Sequence, residues 1–200
     1  LMMNRFQGKA IAITGGASGI GRATAKAAAE EGGAVFIGDQ NEEAGHSVIR
    51  EILDSGGKAE FVRLDVTDPE EIESWLHAVS DRGDGLDCLF NNAGIGGGGS
   101  FLQGDQEEWE KTFAICWHGV YYCSRAFMPY LVASTEGHII NTSSVNGFWA
   151  SLGGTPHTSY SAAKFAVKGF SESLIDDFRL NAPHVGVSVV MPGHIGTSIA

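Results

Sequence analysis

Apolar residues along this chain gather in two ways: in short, nearly unbroken blocks, and in longer stretches where they recur three and four positions apart. The short blocks are Lys9 to Thr14, Ala34 to Gly38, Ala59 to Leu64, Leu86 to Phe90, Gly137 to Asn141 and Val185 to Val190. Several, among them Ala10-Ile11-Ala12-Ile13 and Val187-Ser188-Val189-Val190, lack the polar alternation of a half-exposed strand. They read as strands covered on both faces, which belong to a parallel sheet. The longer stretches read as helices. One begins after Asp68, where Ile72, Trp75, Leu76 and Val79 share a face. Asp68 as N-cap, Pro69 at the first helical position and Glu71 three residues past the cap mark its start. A second runs from about Gln106 to Val132, with a buried seam of Trp109, Phe113, Cys116, Val120, Cys123 and Phe127, and a third covers about Thr158 to Leu180. Strand and helix alternate throughout, which predicts an α/β fold: a single domain over residues 1–200, with a doubly wound parallel sheet and helices on both faces.

Composition adds mainly exclusions. Of the 200 residues 43% are apolar and 18% charged, the make-up of a globular chain with one sizeable core. A formal net charge of −11 repels a phosphate backbone or an anionic membrane surface, so no nucleic acid and no membrane is expected as a partner. No apolar run approaches the roughly 18 residues of a bilayer crossing, and the N-terminus has no charged segment followed by an apolar one, so the expected location is cytoplasmic. Cys88, Cys116 and Cys123 cannot all pair, and their spacing fits neither a redox dithiol nor a zinc site. They read as reduced thiols, with no metal expected. The run Gly96 to Gly99 is either a mobile loop beside a cleft or a plain flexible connection.

Chemistry first shows at Thr14-Gly15-Gly16-Ala17-Ser18-Gly19-Ile20-Gly21, between the first strand and the first helix. Glycines there let the backbone turn tightly and approach a pyrophosphate, whose charge is met by the free N–H groups and the positive dipole end of the helix. The spacing differs from the commoner G-x-G-x-x-G pattern, and a glycine-rich turn with no ligand remains its plain alternative. Asp39 closes the second strand about twenty residues on, where a carboxylate can accept hydrogen bonds from the adenine ribose hydroxyls. A 2′-phosphate would be repelled by Asp39 and would find no arginine, because Gln40 follows and Ser18 precedes Gly19. The expected cofactor is therefore NAD rather than NADP, on a Rossmann-type sheet.

Taken in order, these residues resemble the short-chain dehydrogenase/reductases. Thr14-Gly15 through Gly21 is similar to the family's cofactor loop, Asp65-Val66 to its adenine-contacting pair, and Asn91-Asn92-Ala93-Gly94 to the motif closing its fourth strand. Ser143-Ser144, Tyr160-Ser161-Ala162-Ala163-Lys164, and Pro192-Gly193 with Thr197 complete the series over essentially the whole chain. The resemblance implies that Gly15, Ser18, Gly19, Ile20, Gly21, Asp39, Asp65, Val66, Asn92, Ala93, Gly94, Pro192, Gly193 and Thr197 hold the cofactor. It further implies that Ser144 polarises the substrate oxygen, Tyr160 is the general acid or base, and Lys164 contacts the nicotinamide ribose while favouring the tyrosinate. Residue chemistry supports the last pair independently. Tyr160 and Lys164 are four apart and share one helix face, and a nearby ammonium stabilises phenolate, drawing the phenol from its usual value of about 10 toward working pH.

The implied activity is hydride transfer between NAD(H) and a secondary alcohol or its ketone, with a small-molecule alcohol or ketone as partner. A nucleotide-binding regulatory or scaffold protein that has lost turnover is the alternative. Two departures from the family pattern bear on it. Cys116 stands where the family usually has an asparagine that helps hold a water beside the lysine, and a thiol is a poor donor and acceptor. The sequence also stops at Ala200, where relatives continue through a substrate-covering segment and a last strand, both apparently lacking. Ser144 lies sixteen residues before Tyr160, a wider gap than usual, and the intervening loop from Phe148 to Pro156 is expected over the substrate pocket. A homodimer or homotetramer is expected, pairing through the seam of the long helix and through Phe170, Leu174 and Phe178, although those residues could equally face the sheet.

Overall fold

The structure is a computed structural model that describes residues 4–81, 85–150, 154–193 and 195–196. Six strands form one parallel sheet: β1 (Ala10–Thr14), β2 (Ala34–Asp39), β3 (Lys58–Arg63), β4 (Cys88–Asn91), β5 (His138–Thr142) and β6 (Gly186–Val190). Their spatial order is β3-β2-β1-β4-β5-β6, and every pairing is parallel. The direction of winding therefore reverses between β1 and β4. A crevice opens at that switch point, beyond the carboxyl ends of the strands.

The inner strands are covered on both faces, whereas the edge strands β3 and β6 hold no fully buried residue, so the expected two-sided cover of Val187–Val190 is not found among the described residues. In β1, Ala10 and Ala12 join the core on one side of the sheet, while Ile11 and Ile13 join the core on the other. The first side carries α3 (Pro69–Ser80), α5 (Gly119–Ala133) and α7 (Thr158–Asn181), through Trp75, Phe127 and Phe178. The second carries α1 (Gly19–Glu30) and α2 (Glu42–Asp54), through Ala25, Ala28, Val48 and Ile52. Small alanines on the α3/α5 side leave room for the pair Trp75 and Phe127, which meet edge to face with ring centroids 4.9 Å apart.

The long helix expected from Gln106 to Val132 is continuous but not uniform. It comprises α4 (Gln106–Phe113), a π-helical turn at Ala114–His118, and α5. The π turn shifts the register of the seam. Cys116, Val120, Cys123 and Phe127 are buried, whereas Trp109 and Phe113 are only half-buried, stack at 5.5 Å, and turn toward α7 through a hydrogen bond that Trp109 Nε1 donates to Thr158 Oγ1 at 2.9 Å. Asp68 caps α3 as expected, accepting from the N–H groups of Glu70 and Glu71. Glu71 does not reach back to the cap. It accepts the Asp65 N–H at 2.6 Å and pairs with Arg63, tying the end of β3 to α3.

Two expectations need correction. The Gly96–Gly99 run is no free loop: the carbonyls of Gly98 and Gly99 accept from the backbone N–H groups of Ser159 and Thr158 and from Thr158 Oγ1, which pins the segment to the start of α7. The seam of α5 and Phe178 of α7 face this chain's own sheet, with Leu174 packed against the same core, so they are not free to pair with a second copy. Contact between copies on these helices would use outward residues such as Tyr121, Val132, Phe165 and Ile175. Among the described residues no helix is long and apolar enough to cross a membrane.

Burial sets the ranking of stability losses. Phe127→Ala removes a fully buried ring and is expected to cost about 3–5 kcal/mol, against about 1 kcal/mol for Asp68→Ala, which loses only the cap. Urea denaturation of both variants checks the order.

Candidate active site

The crevice at the switch point is a cleft of about 1070 Å³. One end is built by the turn after β1. Gly15 takes φ +66, and a Cβ there would stand 2.8 Å from the Ala93 Cα. Gly21 has no room either, since its Cβ would lie 2.1 Å from the Gly15 carbonyl oxygen and 2.6 Å from Asn92 Nδ2. This contact joins the two strands that flank the crevice. Asn92 Nδ2 donates to the carbonyls of Thr14 and Gly15, both at 3.2 Å, and Thr14 Oγ1 accepts from the N–H groups of Asn92 and Ala93, both at 3.0 Å.

Ser18 is the N-cap of α1 yet makes no side-chain cap hydrogen bond, and Ser18, Gly19 and Ile20 line the cleft. The first-turn N–H groups and the positive helix end thus face the opening, an arrangement that attracts an anion. Asp39 lines the same end, its carboxylate oriented by two backbone donors: Ala17 N–H to Oδ2 and Asn41 N–H to Oδ1, each at 3.0 Å. Each oxygen keeps lone pairs for further donors. Val66, Asn92, Ala93 and Gly94 form the adjoining wall, and Pro192 and Gly193 the far lip. Gly21 and Asp65 lie behind this lining. Gly21 serves the close approach just described, and the Asp65 carboxylate closes its own turn by accepting from the Thr67 N–H and hydroxyl. Thr197 lies outside the described residues, as do 151–153 of the loop between Ser144 and Tyr160.

Ser144, Tyr160 and Lys164 all line the cleft. Helix α7 carries Tyr160 and Lys164 on one face, and the Lys164 Nζ stands 5.5 Å from the centre of the Tyr160 ring. Lys164 is 2% exposed and donates to the Thr142 carbonyl at 2.8 Å, while its own backbone carbonyl accepts from Ser143 Oγ at 2.7 Å. Both ends of the residue are therefore fixed to β5 and the turn after it. Burial pushes the Lys164 ammonium below its ordinary value, and it pushes the Tyr160 phenol above its own, with the Ser144 hydroxyl acting in the opposite direction. The Lys164 ammonium is committed to the Thr142 carbonyl, and desolvation is the largest influence on the phenol.

Cys116 sits in the π turn, fully buried, with its thiol donating to the Ile95 carbonyl at 3.4 Å. Behind the site, buried Asn91 donates to Ser124 Oγ at 3.0 Å and Asn141 Oδ1 at 2.8 Å, and Asn141 passes the chain on to Ser171 at 3.0 Å. These bonds tie β4 and β5 to α5 and α7. Thr155, in the loop expected over the pocket, lines the cleft, and sequence reasoning had no signal for two further lining residues: Asn146, which opens the short helix α6 (Asn146–Trp149), and His157, just before α7. Among the described residues no cluster of His, Cys, Asp or Glu could hold a metal.

Comparison with known proteins agrees with this geometry. The family described as short chain dehydrogenase matches residues 9–200. The chain is 41% identical over 198 residues to the 2,5-dichloro-2,5-cyclohexadiene-1,4-diol dehydrogenase of Sphingobium indicum, covering 99% of this chain and 77% of that one. It is 35% identical over 190 residues to the cyclopentanol dehydrogenase of Comamonas testosteroni, covering 92% and 75%. Among solved structures, a short chain dehydrogenase/reductase from Burkholderia phymatum in complex with NAD superposes with a TM-score of 0.91 at 32% identity, covering 97% of this chain and 68% of that one.

The contact at Gly21 carries its own test: Gly21→Ala must push the turn away from Asn92 and is expected to cost at least about 2 kcal/mol, read as a lowered melting temperature. With a family profile matching residues 9–200 of a chain that has this strand order, the chain belongs to the short chain dehydrogenase family of oxidoreductases.

Proposed function

We propose that the chain is an NAD-dependent dehydrogenase of small, mainly cyclic secondary alcohols, with Tyr160 as general acid and base. The observation that carries this reading is the joint placement of Ser144, Tyr160 and Lys164 in the same cleft as the helix-α1 turn and Asp39. The diol and cyclopentanol dehydrogenases among its relatives support the substrate class.

The residues present suit a dinucleotide. Ser18, Gly19 and Ile20 meet the pyrophosphate at the N-terminus of α1, Asp39 accepts the adenine ribose hydroxyls, and Val66 with Asn92, Ala93 and Gly94 flanks the adenosine side. Gly15 and Gly21 let the turn pack, Asp65 supports the loop bearing Val66, and Pro192 and Gly193 belong to the nicotinamide side. No arginine lines the cleft among the described residues, and Gln40 follows Asp39, so a 2′-phosphate gains no partner to offset repulsion by Asp39. When bound, NAD supplies the hydride acceptor.

The chain's own groups manage the proton. Ser144 Oγ holds the substrate oxygen, and Tyr160 takes the hydroxyl proton as the carbon is oxidised. Lys164 keeps a positive charge beside the developing phenolate and the ribose. Its desolvated ammonium gains most when negative charge forms next to it, because little water screens the pair. A nucleotide-binding regulatory or scaffold role has one observation in its favour. Cys116 spends its thiol on the Ile95 carbonyl and offers Lys164 no strong acceptor for relaying a proton. Turnover by the unmodified chain decides against it.

Two outcomes test the reading. A phenol whose value is raised stays protonated at neutral pH, so alcohol oxidation must rise with pH from about 7 to 10 as the base form appears, while ketone reduction holds level and falls only on the alkaline side. Tyr160→Phe is expected to lower kcat about a thousandfold and to remove that rise while still binding NADH. A kcat profile unchanged by the substitution removes Tyr160 from the chemistry. Asp39→Asn keeps the shape but not the charge, and is expected to shift the NADP/NAD ratio of kcat/KM about tenfold toward NADP.

A further inference from the structure

Hydrogen-bonding capacity is unevenly spent around this cleft. Beside the glycine turn, Asn92 gives its amide to two carbonyls, Ser143 gives its hydroxyl to Lys164, and Lys164 is committed to Thr142. The wall next to Tyr160 differs. The backbone N–H of Asn146 donates to Ser144 Oγ at 3.2 Å, which fixes this residue beside the serine, but its side chain makes only a long contact from Nδ2 to Ser161 Oγ at 3.4 Å. Its Oδ1 accepts nothing among the described residues. His157 lies three residues before Tyr160, at the N-cap of α7, with its carbonyl accepting the Ser161 N–H at 2.8 Å. Its ring has no hydrogen-bond partner among the described residues, and neither does the hydroxyl of Thr155. All three residues line the cleft, Asn146 half-buried and Thr155 and His157 exposed, and both Asn146 and His157 are anchored through their backbones to the residues that frame the catalytic pair.

The chemistry of this wall limits what it can recognise. Asn and His each offer a donor and an acceptor, the combination a hydroxyl satisfies from both sides. Apart from buried Lys164, no Lys, Arg, Asp or Glu lines this half of the cleft among the described residues, so nothing there would compensate a carboxylate or phosphate. Ile95, Val145 and Ile195 supply apolar surface for a carbon frame. Resting on the dehydrogenase reading above, we propose that Asn146 and His157 form a subsite for a second, uncharged oxygen of the substrate, making the enzyme selective for diols and hydroxyketones over mono-alcohols. Recognition of a hydroxyl discriminates once bound substrate takes these two side chains out of water, because its absence then leaves them unpaired.

The test measures kcat and KM, with NAD, for cyclohexanol and for the positional isomers of cyclohexanediol. The wild-type chain is expected to favour at least one diol over cyclohexanol by about ten- to a hundredfold in kcat/KM. In Asn146→Ala and His157→Phe that ratio falls toward one, and His157→Gln, which again offers a donor and an acceptor, restores part of it. Equal kcat/KM for diols and cyclohexanol in the wild type overturns the subsite. A ratio left unchanged by both substitutions, each lowering all substrates alike, overturns it also and reduces the two residues to supports for Ser144 and Tyr160. If the unmodified chain turns over neither class of alcohol nor the ketones with NADH, the dehydrogenase reading itself fails and this inference falls with it.

Discussion

The carboxyl ends of β1 and β4 meet with no space between them for a side chain. A Cβ on Gly15 would strike Ala93, and one on Gly21 would strike the Gly15 carbonyl and Asn92, while Thr14 and Asn92 bind the two segments with five hydrogen bonds. Everything at the site follows from this contact. It sets the entry angle of α1, so that Ser18, Gly19 and Ile20 present the helix terminus to the cleft. It also holds the segment after β4 against the crevice, where Gly94 comes near Lys164 and Cys116. The separation between the cofactor end and the proton-transfer end is thereby set by backbone packing rather than by flexible side chains.

On the other flank, rigidity is obtained with polar groups placed in the core. Asn91, Ser124, Asn141 and Ser171 bridge the sheet to α5 and α7, and Ser143 and Thr142 grip Lys164. A buried ammonium with a single strong partner carries a desolvation cost, which is the cause of its lowered value. Such a cost is tolerated where charge must later be stabilised, and it is set here beside a phenol that burial keeps protonated. The two shifts run in opposite directions for one reason: burial disfavours the charged form of each group, the ammonium of Lys164 and the phenolate of Tyr160. Cys116 lies near the same pair, with its thiol turned to the Ile95 carbonyl.

Much of this was legible along the chain. All six strands were marked by their apolar blocks to within a residue or two, the inner ones most plainly because strands covered on both faces admit few polar positions. Asp68 with Pro69 located the start of α3, and the motif residues located the cleft. What the pattern missed has physical causes. The π turn at Ala114–His118 changes which residues of a regular stripe are buried, and apolar spacing carries no sign of it. The Gly96–Gly99 run has the composition of a loose loop but is pinned by α7, a partner some sixty positions away. The motif at Gly21 and Asp65 also serves packing and turn closure, which spacing alone does not reveal.

By itself, then, the order of residues determined the sheet, the glycine turn at the first crossover, and the spacing that puts a phenol and an ammonium on one helix face, since each depends on neighbours close in sequence. Tertiary structure alone decided the protonation bias of that pair, the inward use of the long-helix seam, and the meeting of Asn146 and His157 at one wall. Those depend on burial and on which carbonyls lie within reach, quantities set by segments far apart in the chain and brought together only when the sheet closes around its core.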